Sequence, residues 1–239
     1  MNDSLSLKRR LLRPLLLASA MVPLSGCIAA APALMMAASG FAVATSVFGG
    51  YKVYQSATGG DIAIELGNEQ IDPRATAAML SAQILAFWAS PDRSLIEAAQ
   101  IAEAELSINT IISPASTGAR VQALGLPTDL GQMTRRERRD TFARASTALP
   151  ADLILGLVKL GVEQDAHVFS MQRATITQNY QIILYQRDVG EIWTADLSAQ
   201  IGLGGSVPSN PEIEAIVGQA IIDRLRDIAA GNTSRETGS

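Results

Sequence analysis

The order of apolar patterns predicts an α+β domain: a mixed β-sheet with a C-terminal antiparallel meander, helices packed on it, and a closing amphipathic helix. Three observations carry that prediction. Stretches with helical and strand periods alternate between Asp72 and Ser113. β-rich stretches then succeed one another from Ala151 to Leu197 around turn-forming residues. Finally, Ile213, Ile216, Val217, Ala220, Ile221, Leu225 and Ile228 fall on one helical face.

Taken in order, Ile62, Ile64 and Leu66 alternate with Asp61, Ala63 and Glu65, the period of a half-buried strand, and Gly59-Gly60 before them reads as a turn. Asp72-Pro73 supplies a carboxylate cap and a first-turn proline for a helix to about Leu80. Gln83 to Trp88 is a compact apolar run that reads as a strand. Ser94 and Glu97 have capping-box spacing and open a helix to about Leu106. Ile108, Thr110, Ile111 and Ile112 are β-branched and stop at Pro114, as a second strand would.

Thr134 and Glu137 form another capping box, opening a helix to about Leu149. Its arginines, Arg135, Arg136, Arg138 and Arg139, are interleaved with Glu137 and Asp140 and read as a solvated face. In the first turn they also oppose the helix dipole. Ala151 to Val162 is nearly all apolar and reads as a buried central strand. Ala166 to Thr177 and Tyr180 to Gln186 are expected to form a hairpin around Gln178-Asn179, with a further turn at Asp188-Val189-Gly190 and a strand over Glu191 to Leu197. Asn210 and Pro211 open the closing helix and Gly231 stops it; residues 232–239 are polar and expected to fray.

Composition removes many functions. Of 239 residues 48% are hydrophobic, too many for a disordered chain, while aromatics are only 5%, so the core must be built from Ala, Leu, Ile and Val. One cysteine, Cys27, excludes an intrachain disulfide and a multi-cysteine metal site. One histidine, His167, leaves no pair for a zinc centre and reads as structural. A formal net charge of −4 argues against a nucleic-acid partner held by blanket phosphate attraction. Gly202-Leu203-Gly204-Gly205-Ser206 leads to Val207-Pro208 and not directly into a helix, so it reads as a flexible turn and not as a phosphate loop. No nucleophile elbow or P-loop is present, and no cofactor or metal is expected.

The amino terminus carries the address. Lys8, Arg9, Arg10 and Arg13 precede a short apolar stretch from Leu15 to Val22, which ends at Leu24-Ser25-Gly26-Cys27. This resembles the bacterial lipobox. The resemblance implies a signal peptide over residues 1–26, cleavage between Gly26 and Cys27, and a lipoprotein whose Cys27 thiol carries diacylglycerol, with palmitate among its acyl chains. Ile28 after the cysteine implies, by the same resemblance, the outer membrane. Loss of residues 1–26 would leave 15 basic against 22 acidic residues, a net charge of −7, so attachment would come from the lipid and not from attraction to anionic headgroups. Residues 28–50 hold no charge but are dominated by small side chains. Residues 27–60 are therefore expected to be a tether or packing helix, with self-association favoured by close backbone approach, and a membrane-inserted segment is the competing reading. The periplasmic domain is then expected over 61–231 and a disordered tail over 232–239.

The succession Ile84-Leu85-Ala86-Phe87-Trp88, Ile111-Ile112-Ser113-Pro114, Ala151-Asp152-Leu153-Ile154-Leu155-Gly156 and Asp188-Val189-Gly190-Glu191-Ile192-Trp193 is similar to CsgG-like and TolB amino-terminal-like domains across residues 81–230. The chain departs from that pattern at Ser146–Pro150, with a longer lead before Ala151, and it lacks the long alternating stretches of a pore-forming hairpin. The resemblance implies a non-catalytic binding or assembly module of the cell envelope, facing the periplasm and meeting an envelope protein partner. The competing class is a lipid-anchored hydrolase of cell-wall or surface polysaccharide. It would require a concave pocket with two converging carboxylates.

Overall fold

The computed structural model describes residues 45–48, 51–56, 60–88, 92–165, 175–202 and 207–233. Its strands are β1 (Thr45–Phe48), β2 (Tyr51–Gln55), β3 (Asp61–Ile71), β4 (Ile84–Phe87), β5 (Thr110–Ile112), β6 (Leu153–Asp165), β7 (Thr175–Gln186) and β8 (Gly190–Gly202). The α-helices are α1 (Ala75–Ser81), α2 (Ser94–Glu105), α3 (Pro114–Ala123), α4 (Arg135–Ala148) and α5 (Asn210–Ala229), with a 3-10 turn at Leu130–Gln132. All strands belong to one sheet in the order β1-β2-β3-β8-β7-β6-β4-β5. β4 is parallel to both β5 and β6, because helical crossovers connect them, and every other neighbouring pair is antiparallel. This is the α+β mixed sheet that the sequence predicts, with the meander over β6, β7 and β8 and α5 closing the chain.

Alternation gives the sheet two different faces. On the first, Ile62, Ile64, Leu155, Tyr180, Ile182, Leu197 and Ala199 are buried beneath α1, α2 and α5. Gly218 of α5 lets two helices close up: a Cβ there would lie 2.9 Å from the backbone nitrogen of Ala98 and 2.9 Å from the carbonyl oxygen of Ser94. A buried polar seam ties α5 to β2 and β3. Arg224 donates to both carboxylate oxygens of Glu69 at 2.7 and 2.8 Å, and Trp193 Nε1 donates to Glu69 Oε1 at 2.9 Å. Tyr54 Oη donates to Asp223, and burial raises its phenol well above the ordinary range.

The second face carries a smaller core under α3, α4 and the 3-10 turn, built from Trp88, Phe142, Ile154, Val158, Ile183 and Tyr185. The Trp88 and Phe142 rings meet edge-on at 4.9 Å, and Phe142 stacks on Tyr185 at 5.8 Å. Gly156 makes room for them, since a Cβ there would stand 2.6 Å from the tip of Phe142. This core stops partway across the sheet.

Several expectations are corrected. The sheet begins before residue 61: Thr45–Phe48 and Tyr51–Gln55, expected within a tether or helix, are its β1 and β2. No hairpin forms around Gln178-Asn179. β7 runs straight through both and pairs with β6 over its whole length. Their amides find partners within the sheet, Gln178 accepting from Tyr180 Oη and Asn179 from Ser198 Oγ, so no turn is needed to satisfy them. The β6–β7 connection falls at 166–174, outside the described residues. The helix expected to be capped by Ser94 begins at that residue: Asp92, two residues earlier, accepts from the Ser94 N–H, and Glu97 pairs with Arg93 instead. The box opening α5 is formed by Ser209 and Glu212, not by Asn210. Helix α3, which Ser113 caps and Pro114 starts, is an element beyond those expected. The Thr134–Glu137 box and the turn before Gly190 form as expected; Asp188 and Gly190 both adopt positive φ, at 64° and 111°.

Candidate functional site

The open part of the second face is polar because β3, β8 and the upper halves of β6 and β7 send alternate side chains to it with no described helix above. A depression of about 390 Å³ lies there, lined by Glu65, Asn68, Glu163, Asn179, Asp196 and Ser198 among others. Register explains how they converge: Glu65 stands opposite Ser198, Ser198 opposite Asn179, and Asp196 opposite Gly67. Glu65 and Asp196 are thus diagonal neighbours, with Cα atoms about 7–8 Å apart. A bulge between Gly67 and Gln70 puts Asn68 at φ 45°, from which its amide donates to Asp196 at 2.7 Å. The exposed Leu160 sits at the matching irregularity in β6 and lines the same depression.

Helix α4 borders this depression. Its Thr134–Glu137 box satisfies the first turn, and the Thr134 N–H and hydroxyl hold the Glu137 carboxyl below its usual range. Arg138 is not part of a solvated face. It is buried, donating to Gln181 at 2.9 Å and to the Met133 carbonyl at 3.2 Å, and burial lowers its affinity for a proton. Gln181 pairs directly with Asp196 in the sheet register, so Arg138 marks the rim of the depression. The exposed Arg135 pairs with Glu191 at 3.3 Å. Arg136 and Arg139 are exposed and make no ion pair among the described residues. On the far side of α4 these three arginines line a cleft of about 970 Å³ with Asp140, Tyr185 and Asp188.

An acidic depression and a basic ridge therefore stand side by side on one surface. Such a surface suits charged or hydroxyl-rich partners. Sequence spacing could not show it, because the depression draws on four strands and the cleft pairs α4 with the β7–β8 turn. The usable signal was the arginine run, although its reading as wholly solvated missed Arg138. Gly26, Cys27 and His167, and residues 203–206 of the glycine-rich turn, lie outside the described residues. Among those described, no group of three or more His, Cys, Asp or Glu is placed to hold a metal ion. No described helix is long and apolar enough to cross a membrane.

No protein-family model matches the chain, and no curated protein matches it. Among solved structures it is similar to a PelC dodecamer from Paraburkholderia phytofirmans, at 12% identity and a TM-score of 0.38, covering 70% of this chain and 97% of that one. A dodecamer of a point-substituted PelC from the same organism matches at 11% identity and a TM-score of 0.36, covering 68% and 96%. The hypothetical protein CT253 from Chlamydia trachomatis matches at 14% identity and a TM-score of 0.42, covering 64% of this chain and all of that one.

Proposed function

We propose that this chain is a lipoprotein of the cell envelope, anchored through Cys27, most simply at the outer membrane, and acting in the periplasm as a non-catalytic binding or assembly module of an export system. The observation that carries this reading is Leu24-Ser25-Gly26-Cys27 behind a basic and then an apolar stretch, with the only cysteine of 239 residues on the acylated position. Acyl chains supply the membrane affinity, about 0.8 kcal/mol per buried methylene, which two or more chains turn into firm attachment. The domain then needs no basic membrane-facing surface of its own, in keeping with its acidic balance.

The hydrolase reading has a place in the fold, because Glu65, Glu163 and Asp196 share one depression. A glycoside-cleaving pair needs one carboxyl kept protonated, normally by apolar surroundings. The amides of Asn68 and Asn179 and the hydroxyl of Ser198 stand among these carboxylates, with Asn68 donating to Asp196. That lining favours binding over proton transfer. Substitution Cys27→Ser should leave an uncut precursor, abolish incorporation of labelled palmitate and release the protein from membrane fractions. Labelling that continues in the variant would overturn the anchor. Loss of glycan hydrolysis on Asp196→Asn, with binding retained, would support the hydrolase instead.

A further inference from the structure

The acidic depression and the arginine ridge occupy the same face of the sheet, at different heights along β7. Asn179 lines the depression, Gln181 lies under Arg138, and Tyr185 lines the cleft beyond α4. Six residues of strand separate the two, a distance of about 20 Å. Arg136 and Arg139 share their cleft with Asp140 and Asp188 but make no ion pair among the described residues, and Arg136 sits in the first turn of a helix whose dipole it opposes. The depression next to them is lined by the acidic side chains of Glu65, Glu163 and Asp196. Within one copy, α4 cannot turn its outward arginines into a depression beside its own base. A second copy, turned through half a rotation about an axis through the rim at Arg138, can. It would place its arginines at the first copy's depression and would receive the first copy's arginines at its own.

We infer that this face is a self-complementary contact in which Arg136 and Arg139 of each copy reach the Glu65–Asp196 depression of the other. The occupant is a second copy because the two patches are opposite in sign, lie on one surface and are repeated reciprocally by a two-fold axis, the commonest symmetry of soluble oligomers. Charge pairs at such a contact fix register and exclude wrong partners more than they add affinity, so the contact should weaken with salt. Leu160, 55% exposed at the edge of the depression, supplies apolar surface that such a contact would cover. This inference deepens the assembly reading and rests on it for the expectation that copies meet. Its failure would leave Cys27 acylation untouched.

The test uses the full chain in detergent, with cysteines placed on the two halves of the contact. A chain carrying Ser198→Cys is mixed with one carrying Ala143→Cys and oxidised. The mixture should give a disulfide-linked pair that neither chain gives alone, and molar salt should suppress it. Adding Arg136→Glu and Arg139→Glu to both chains should lower the yield by more than about tenfold. These two residues are exposed, and an unchanged circular dichroism spectrum would show that the fold survives. Yield should return when the Arg136→Glu, Arg139→Glu chain is mixed with a chain carrying Glu65→Lys and Asp196→Lys, since each then offers the other's complement. If the lysine chain does not fold, Glu65→Gln with Asp196→Asn replaces it, and a reduced yield against unaltered arginines is expected. A pair that forms despite the reversed arginines, or no pair in the first mixture, would overturn the contact.

Discussion

The two faces of one sheet have opposite characters. Beneath α1, α2 and α5, side chains such as Tyr54, Ile62, Leu197 and Leu225 lose all contact with solvent, and even the charges there are paired. On the other face, the core of Trp88, Phe142 and Tyr185 ends beside a row of Glu, Asp, Asn and Ser. The strands are the same; what differs is whether a helix covers them. Covered positions supply stability, and no described helix lies over the uncovered ones. Substitutions should therefore separate the faces sharply.

The largest effect is expected at the buried seam. Glu69→Ala would leave Arg224, with only 10% of its side chain exposed, without its bidentate partner and would also take the acceptor from Trp193 Nε1. Stranding a buried charge costs about 3–5 kcal/mol, so urea unfolding should show a loss of that order. A loss below about 1 kcal/mol would mean that solvent reaches Arg224 readily. Next comes Leu225→Ala, fully buried within the same helix-covered core, for which cavity formation predicts about 2–5 kcal/mol. Ile213, at 4% exposure nearer the end of α5, should cost less in the same assay.

Gly218→Ala sharpens the comparison from another side. The added methyl meets backbone atoms of α2, which cannot rotate away, so overpacking should cost about 1–3 kcal/mol despite the better helix propensity of alanine. A gain in stability would show that α2 and α5 are free to move apart. On the open face, Gln200→Ala should change stability by no more than about 0.5 kcal/mol. A large loss there would mean that something covers the sheet.

Legibility followed the same division. The covered face could be read because burial imposes a period: Ile213, Val217, Ile221 and Leu225 at helical spacing, and Ile62 and Ile64 at strand spacing, all reach the core. Polar stretches misled. Gln178-Asn179 has the composition of a turn, yet Tyr180 of the same strand and Ser198 of the neighbouring one supply partners for the two amides. β2 was hidden because it is short and half polar, and it gains its place only by pairing with β3. The candidate site was least legible. Glu65, Glu163 and Asp196 are far apart in sequence, and register alone brings them together. Arg138 could not be told from its neighbours without knowing which side of α4 meets Gln181.

A small effect that depends on pH is expected where the covered face meets its own edge, at Glu214 on the first turns of α5. Partial burial raises its carboxyl above the ordinary range, and Asp92 and Glu97 add to the shift while Arg93 and Lys159 oppose it. Lys159 stands 3.9 Å from Asp92 and 5.7 Å from the centre of the Tyr180 ring. The folded state therefore holds this proton to higher pH than the unfolded chain. Stability must fall as pH rises through that interval, because there the native state binds more protons than the unfolded one. Below the unfolded value both states are protonated and the penalty vanishes. Glu214→Gln, which cannot ionise, should then match the parent near pH 3 and exceed it at pH 7, by less than about 1 kcal/mol for so incompletely buried a group. Chemical unfolding at the two pH values measures the difference. Equal stability at both would remove the repulsion from the covered face, and a variant less stable at pH 7 would mean that the charged carboxylate is held by an attraction stronger than its acidic neighbours.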